Sequence, residues 1–142
     1  MTYLTESALD TSRLIAAVLT PERGGIAAFV GVVRSEHQGR AVTRLEYSAY
    51  PEMAEAECGR IVREAEARWP VRVVLEHRLG TLEVGEAAVV VVAAGAHRDE
   101  AFAACRHVIE ELKRRVPIWK REHFVDGGLE WVNAAQDRGG AP

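Results

Sequence analysis

The signatures of several chemistries are missing from this 142-residue chain, and each gap closes off a class of function. Cysteine is scarce. Cys58 and Cys105 form neither a CxxC pair nor a zinc spacing, and both sit within apolar helical patterns, as small buried hydrophobes in a reducing compartment do. No HExxH, EF-hand loop or other metal-ligand spacing occurs, so no metal and no cofactor is expected. Neither GxSxG nor GxxxxGK[ST] is present. The longest apolar run, Ala87 to Ala96, is too short for a transmembrane helix, which needs about 20 residues. The opening MTYLTESALD has no basic n-region and no apolar h-region, so no signal peptide is expected and the protein is placed in the cytoplasm. Basic charge is not in excess. Eighteen Lys and Arg face 21 Asp and Glu, a net charge of −3, which argues against a bulk polyanion binder. Internal repeats and low-complexity segments are absent as well.

What is present is the composition of an ordinary globular domain, 48% apolar and 27% charged. Its length predicts one domain over residues 1–133, followed by a loose tail over 134–142. Leu9 to Leu19 reads as a short helix that Pro21 and Gly24-Gly25 break. Ile26 to Val33 and Val42 to Ala49 read as strands, joined by a polar loop, RSEHQGRA. In Glu52 to Trp69, Ala54, Cys58, Ile61, Ala65 and Trp69 stack on one helical face between Pro51 and Pro70. Val71 to Leu79 and Ala87 to Ala94 read as strands with a turn over Gly80 to Gly85; the second is nearly all Val and Ala, as a strand buried on both faces would be. Arg98 to Val116 is a helix with acidic residues in its first turn and basic ones in its last, which suits the helix dipole. A hairpin over Ile118 to Val125 and Leu129 to Val132 closes the pattern. This order predicts an α+β fold, helices packed on a mixed or antiparallel sheet.

One segment combines charge with apolar residues. KRRVPIWKRE, Lys113 to Glu122, is half cationic, yet Pro117, Ile118 and Trp119 stand at its centre. Lys113 ends the helix and Lys120 lies on the next strand. A sharp turn at Pro117 would aim both amines into one pocket. Mutual repulsion and a partly apolar wall both lower a lysine pKa, and a neutral amine serves as nucleophile or base. Basic residues also belong at a helix C-terminus for dipole reasons alone, so spacing leaves both readings open. At the other end of the same helix, His97 and Arg98 add charge to free backbone N–H groups, a setting for a phosphate. Arg98 and Lys113 are about 22 Å apart along a straight helix, so they serve different parts of a large ligand or belong to sites completed by a second subunit. Arg34 stands at a strand-to-loop edge, a common place for a ligand-binding side chain.

Five segments, in order and at compatible spacings, resemble the large, catalytic subunit of molybdopterin synthase. They are FVGVVR (Phe29 to Arg34), LEYSAYPEMA (Leu45 to Ala54), HRLGTLEVGE (His77 to Glu86), AHRDEAF (Ala96 to Phe102) and LKRRVPIWKRE (Leu112 to Glu122). The resemblance implies an α/β hammerhead fold with an additional antiparallel sheet. It implies a sulfurtransferase that converts cyclic pyranopterin monophosphate into molybdopterin by installing a dithiolene. It implies a separate small ubiquitin-like carrier whose C-terminal Gly-Gly thiocarboxylate supplies the sulfur. The implied assembly is a homodimer of large subunits within a heterotetramer. Lys113 and Lys120 match the family's catalytic lysines, and Arg34, His97, Arg98 and Phe29 match its substrate-contacting positions. Gly139-Gly140 of this chain is followed by Ala141 and Pro142 and reads as tail, not as the carrier's terminus. A non-catalytic module for an anionic metabolite or a protein tail is the main alternative. RNA binding through the basic segment and a Schiff-base lysine enzyme are further ones.

Overall fold

The structure is a computed structural model and describes residues 1–133. The expected loose tail, with Arg138, Gly139 and Gly140, lies outside those residues. The elements run β1 (Leu4–Thr5), α1 (Thr11–Ala16), β2 (Gly25–Val32), β3 (Glu36–His37), β4 (Arg40–Ala49), α2 (Pro51–Arg68), β5 (Val71–Arg78), β6 (Gly80–Glu83), β7 (Ala87–Gly95), α3 (Arg98–Arg115), β8 (Ile118–Phe124) and β9 (Leu129–Asn133). The fold is α+β, as the element order predicts, and it is built on two sheets.

The first sheet has the order β1-β5-β7-β2, antiparallel except where β1 runs parallel to β5. Strand β7 is central, and its residues from Ala88 onward are buried. Val89, Val91 and Ala93 face the main core with Ile61 and Ala65 of α2 and Ala104 and Val108 of α3. Val90, Val92 and Ala94 face the other way, against Leu14 and Val18 at the α1 end of the chain. A strand covered on both faces has no use for polar alternation, which explains the Val/Ala run.

Helix α2 opens with Pro51 in its first turn, where a missing N–H costs nothing. Helices α2 and α3 lie side by side, and Arg115 clamps them. Its guanidinium donates to Glu57 at 2.9 Å, to Glu64 at 2.7 and 3.0 Å and to Glu111 at 3.1 Å. The N-terminal strand is held similarly: the Glu55 carboxylate accepts from the backbone N–H groups of Thr2, Tyr3 and Leu4.

The second sheet has the order β3-β4-β8-β9, with β6 also paired to β4. Its own small core is Val33, Val42, Leu45, Leu82, Ala88 and Phe124. Three short strands go beyond the sequence reading. Strand β1 is two residues long. Strand β3 pairs with the start of β4 across Gln38 and Gly39, both at positive φ, the backbone of a tight hairpin turn. Strand β6 occupies most of the segment read as a turn. Arg40 closes the far end of this sheet, stacked 3.6 Å from the centre of the Phe124 ring and paired with Asp126 at 3.1 Å and Glu130 at 3.2 Å.

Candidate active site

Where the two sheets meet, a cleft open to solvent collects charged side chains from distant parts of the chain. Helix α3 delivers Lys113 from its last turn. Val116 ends the helix in extended conformation, its N–H still bonded to the Leu112 carbonyl, and Pro117 then sends the chain into β8. Along β8, Ile118, Lys120, Glu122 and Phe124 turn inward, while Trp119 points outward. Simple alternation therefore carries a lysine and a glutamate into positions where an apolar residue would ordinarily sit. Pairing with β4 sets Tyr47 opposite Lys120 and Leu45 opposite Glu122.

Burial is what separates these charges from ordinary surface pairs. Glu122 is 1% exposed and Lys120 is 7% exposed. The Lys120 Nζ lies 3.9 Å from Glu122 Oε1, and Nε2 of buried His37 lies 3.7 Å from the same oxygen. A buried carboxylate without cationic neighbours costs several kcal/mol, at least about 3. Glu122 therefore ties Lys120 and His37 into one unit. Arg34 stands exposed at the rim of the same cleft, and Gly31 and Val32 form part of its wall. A Cβ on Gly31 would press within 2.8 Å of the Val89 side chain, so the close approach of β2 to β7 needs glycine there.

The cleft also contains His77, which the sequence reading passed over except as part of HRLG. The ring is buried and lies edge-to-face on Tyr47 at 5.0 Å. Burial pulls its pKa down to about 4; a hydrogen bond to the Arg78 carbonyl opposes that shift, and the charge of Lys113 adds to it. His77 is thus neutral at pH 7.

The sequence-predicted residues divide into two groups. Lys113, Lys120 and Arg34 line this cleft together. Phe29, His97 and Arg98 do not line it. Phe29 packs half-buried against the main core. His97 and Arg98 are exposed at the start of α3, where the Glu100 carboxylate accepts from the His97 N–H at 3.1 Å. That helix start sits against Gly25, since a Cβ on Gly25 would come within 2.9 Å of the Arg98 nitrogen. Gly25 and Val32 are the two ends of β2, roughly 20 Å apart at the rise of a strand. Within one chain, the helix start and the lysine cleft are separate places.

His37, Tyr47, His77 and Glu122 are cleft residues that sequence reasoning missed. A signal existed for two of them. Glu122 lies two residues after Lys120 on a strand, hence on the same face, and His77 shares a strand face with Val73 and Leu75. His37 had none, because its hairpin read as a loop. Among the described residues, no three His, Cys, Asp or Glu side chains are grouped to hold a metal ion. Nor is any helix among them long and apolar enough to cross a membrane.

Comparisons with known proteins point in one direction. The profile of the family described as MoaE protein matches residues 4–115. Molybdopterin synthase catalytic subunit 1 of Mycobacterium tuberculosis is 48% identical over 130 residues, covering 91% of this chain and 88% of that one. The crystal structure of molybdopterin synthase from Staphylococcus aureus superposes with a TM-score of 0.88 at 31% identity, covering 93% of this chain and 96% of that one. A chain from the protein–protein complex of subunits 1 and 2 of molybdopterin-converting factor from Helicobacter pylori shares the fold, with a TM-score of 0.75 at 24% identity over 96% of this chain and 90% of that one. With the family profile spanning most of the chain and a relative this similar over nine-tenths of it, the chain belongs to the MoaE protein family.

Proposed function

We propose that this chain is the catalytic subunit of a molybdopterin synthase, a sulfurtransferase that builds the molybdopterin dithiolene on cyclic pyranopterin monophosphate. The observation that carries the reading is the convergence of Lys113, Lys120 and Arg34 on one cleft, beside the buried carboxylate of Glu122. The sulfur donor is the C-terminal thiocarboxylate of a small ubiquitin-like carrier, a separate chain. The assembly is a homodimer of this chain within a heterotetramer. The buried, unpaired thiols Cys58 and Cys105 fit a cytoplasmic location.

The chemistry follows from the charges. A thiocarboxylate is an anion, and so is the cyclic phosphate, and a cationic cleft draws both in. The carrier's sulfur forms a bond to a substrate carbon as a carbon–oxygen bond at that carbon breaks and the oxygen departs, while the acyl carbon is still attached to sulfur. Water then adds to the acyl carbon, giving an anionic tetrahedral species. That species collapses by breaking the carbon–sulfur bond. The electron pair leaves with sulfur as the product thiolate, and the carrier departs as a carboxylate. Lys113 and Lys120 stabilise the oxyanion of the tetrahedral species or move its protons. Arg34 holds phosphate at the rim. Phe29, His97 and Arg98 contact the pterin and its phosphate in a site that the second large subunit completes, which accounts for their distance from the lysine cleft. Two sulfurs enter each product, so two carriers are consumed.

The test is a reconstitution with cyclic pyranopterin monophosphate and a carrier whose thiocarboxylate has been verified by mass. Dithiolene product in a single turnover supports the reading. Tight carrier binding without product would instead make this chain a binding module for a protein tail.

A further inference from the structure

His77 occupies a position that strand alternation reserves for an apolar side chain. It follows Val73 and Leu75 on the face of β5 that packs toward α2 and α3, and all three are buried. A buried polar group is costly unless it is hydrogen-bonded. The ring meets that need through Nδ1, which lies 2.8 Å from the Arg78 carbonyl oxygen. A carbonyl only accepts, so Nδ1 carries the proton. A neutral imidazole with its proton on Nδ1 has an unprotonated Nε2, and burial keeps this ring neutral. The edge-to-face contact with Tyr47 fixes the ring plane. The ring also lines the cleft that Lys113 enters from α3.

We propose that His77 is a positioning residue for Lys113, its Nε2 lone pair accepting a hydrogen bond from the Lys113 amine and aiming that amine at the acyl carbon of the incoming carrier. The proposal rests on the reading of the cleft as the site of sulfur transfer. An imidazole suits the task better than a carboxylate. A carboxylate would neutralise the lysine and repel both anionic reactants. A neutral ring orients the amine, leaves its charge available to the oxyanion and accepts from it in either protonation state. The division between the two lysines is then physical: Lys120 is held by a buried charge, and Lys113 is aimed by a neutral acceptor. The other titratable groups of the cleft come from β4 (Tyr47), β8 (Lys120 and Glu122) and the 34–37 segment.

Two substitutions separate positioning from packing. In His77→Asn, the amide N–H replaces Nδ1–H toward the Arg78 carbonyl and nothing replaces Nε2. In His77→Gln, the amide oxygen extends toward the place of Nε2. In the assembled synthase with thiocarboxylated carrier, His77→Asn should lower kcat on the order of 10- to 100-fold with KM for the pterin substrate nearly unchanged, and His77→Gln should recover most of the loss. Wild-type kcat in His77→Asn, or equal losses in both variants, overturns the proposal. A second measurement does not need variants at His77 to fold or the enzyme to turn over. Nitrogen-15 NMR of the assembled protein should show His77 Nε2 unprotonated at pH 7. In Lys113→Gln the Nε2 resonance should move and the ring pKa should rise from about 4. A protonated Nε2, or a resonance indifferent to Lys113, overturns the contact. If wild type makes no dithiolene with a verified carrier, the sulfur-transfer reading falls, and the NMR result still decides whether His77 holds Lys113.

Discussion

The two sheets of this protein use strand alternation in opposite ways. In the first sheet, β5 and β7 place Val73, Leu75, Val89 and Val91 against the helices, and the core they form is almost entirely apolar. In the second sheet, β8 places Lys120 and Glu122 inward by the same alternation, and β3 adds His37. One sheet places inward the residues that make a fold stable. The other spends inward positions on charge, which is tolerable because Glu122 has basic neighbours at 3.7 and 3.9 Å. His77 is the first sheet's exception, and it lies where that sheet borders the cleft. Polar residues at core positions thus mark the border between the apolar scaffold and the cleft.

The sharpest way to break this contrast is to empty the charged core. Glu122→Ala strands Lys120 and His37 without their shared carboxylate and should cost about 3–5 kcal/mol in urea denaturation. A loss below about 1 kcal/mol would mean that the triad is solvated and not structural. Acidity tests the first sheet's exception. The folded-state pKa of His77, about 4, lies below its ordinary value of 6.5, so the unfolded chain binds a proton that the native one does not. Stability from this group is complete above pH 6.5 and falls as pH drops toward 4, by roughly 3 kcal/mol in all. The urea midpoint of wild type should track that window, and the His77→Asn variant should show a flatter slope there. In the apolar core, Ile61→Val should cost about 1 kcal/mol while product formed per folded molecule stays at the wild-type level. A drop in specific activity would show that the scaffold is not separable from the site. A small effect is also expected at the clamp between the helices, where Arg115 is 21% exposed. Arg115→Ala should lower stability by about 1 kcal/mol or less, and high salt should shrink that difference.

Much of this architecture was readable from residue order. Both long helices, the β7 run and the break at Pro117 follow from periodicity and proline, because each is a local property of its own segment. Strands β1, β3 and β6 were not readable. A two-residue strand has no period to detect, and β1 exists because the Glu55 carboxylate and the edge of β5 hold it. The β3–β4 turn uses Gln38 where Asn or Asp would have announced a positive φ. Strand β6 hides between Gly80 and Gly85, whose positive φ values mimic a simple loop. Lys113 and Lys120 were legible as a pair because one helix end and one strand hold both. His37 and Tyr47 were not, since nothing local tells which distant strand will deliver a side chain to the same cleft. Arg34, His97 and Arg98 were legible from their places at a strand edge and a helix start, and the family resemblance supplied Phe29; what one segment could not tell is that His97 and Arg98 lie at the far end of β2 from the lysines.

The central claim is that Lys113 and Lys120 act on the thioacyl carbon in one cleft. A single-turnover experiment with thiocarboxylated carrier and cyclic pyranopterin monophosphate, read by mass spectrometry, tests it most directly when Lys113→Ala and Lys120→Ala are run beside Arg115→Ala. The account predicts a loss of dithiolene product on the order of 100- to 1,000-fold in each lysine variant and near-wild-type yield in the helix-clamp variant. Wild-type yield from Lys113→Ala, with its carrier bound and its fold intact, would contradict it.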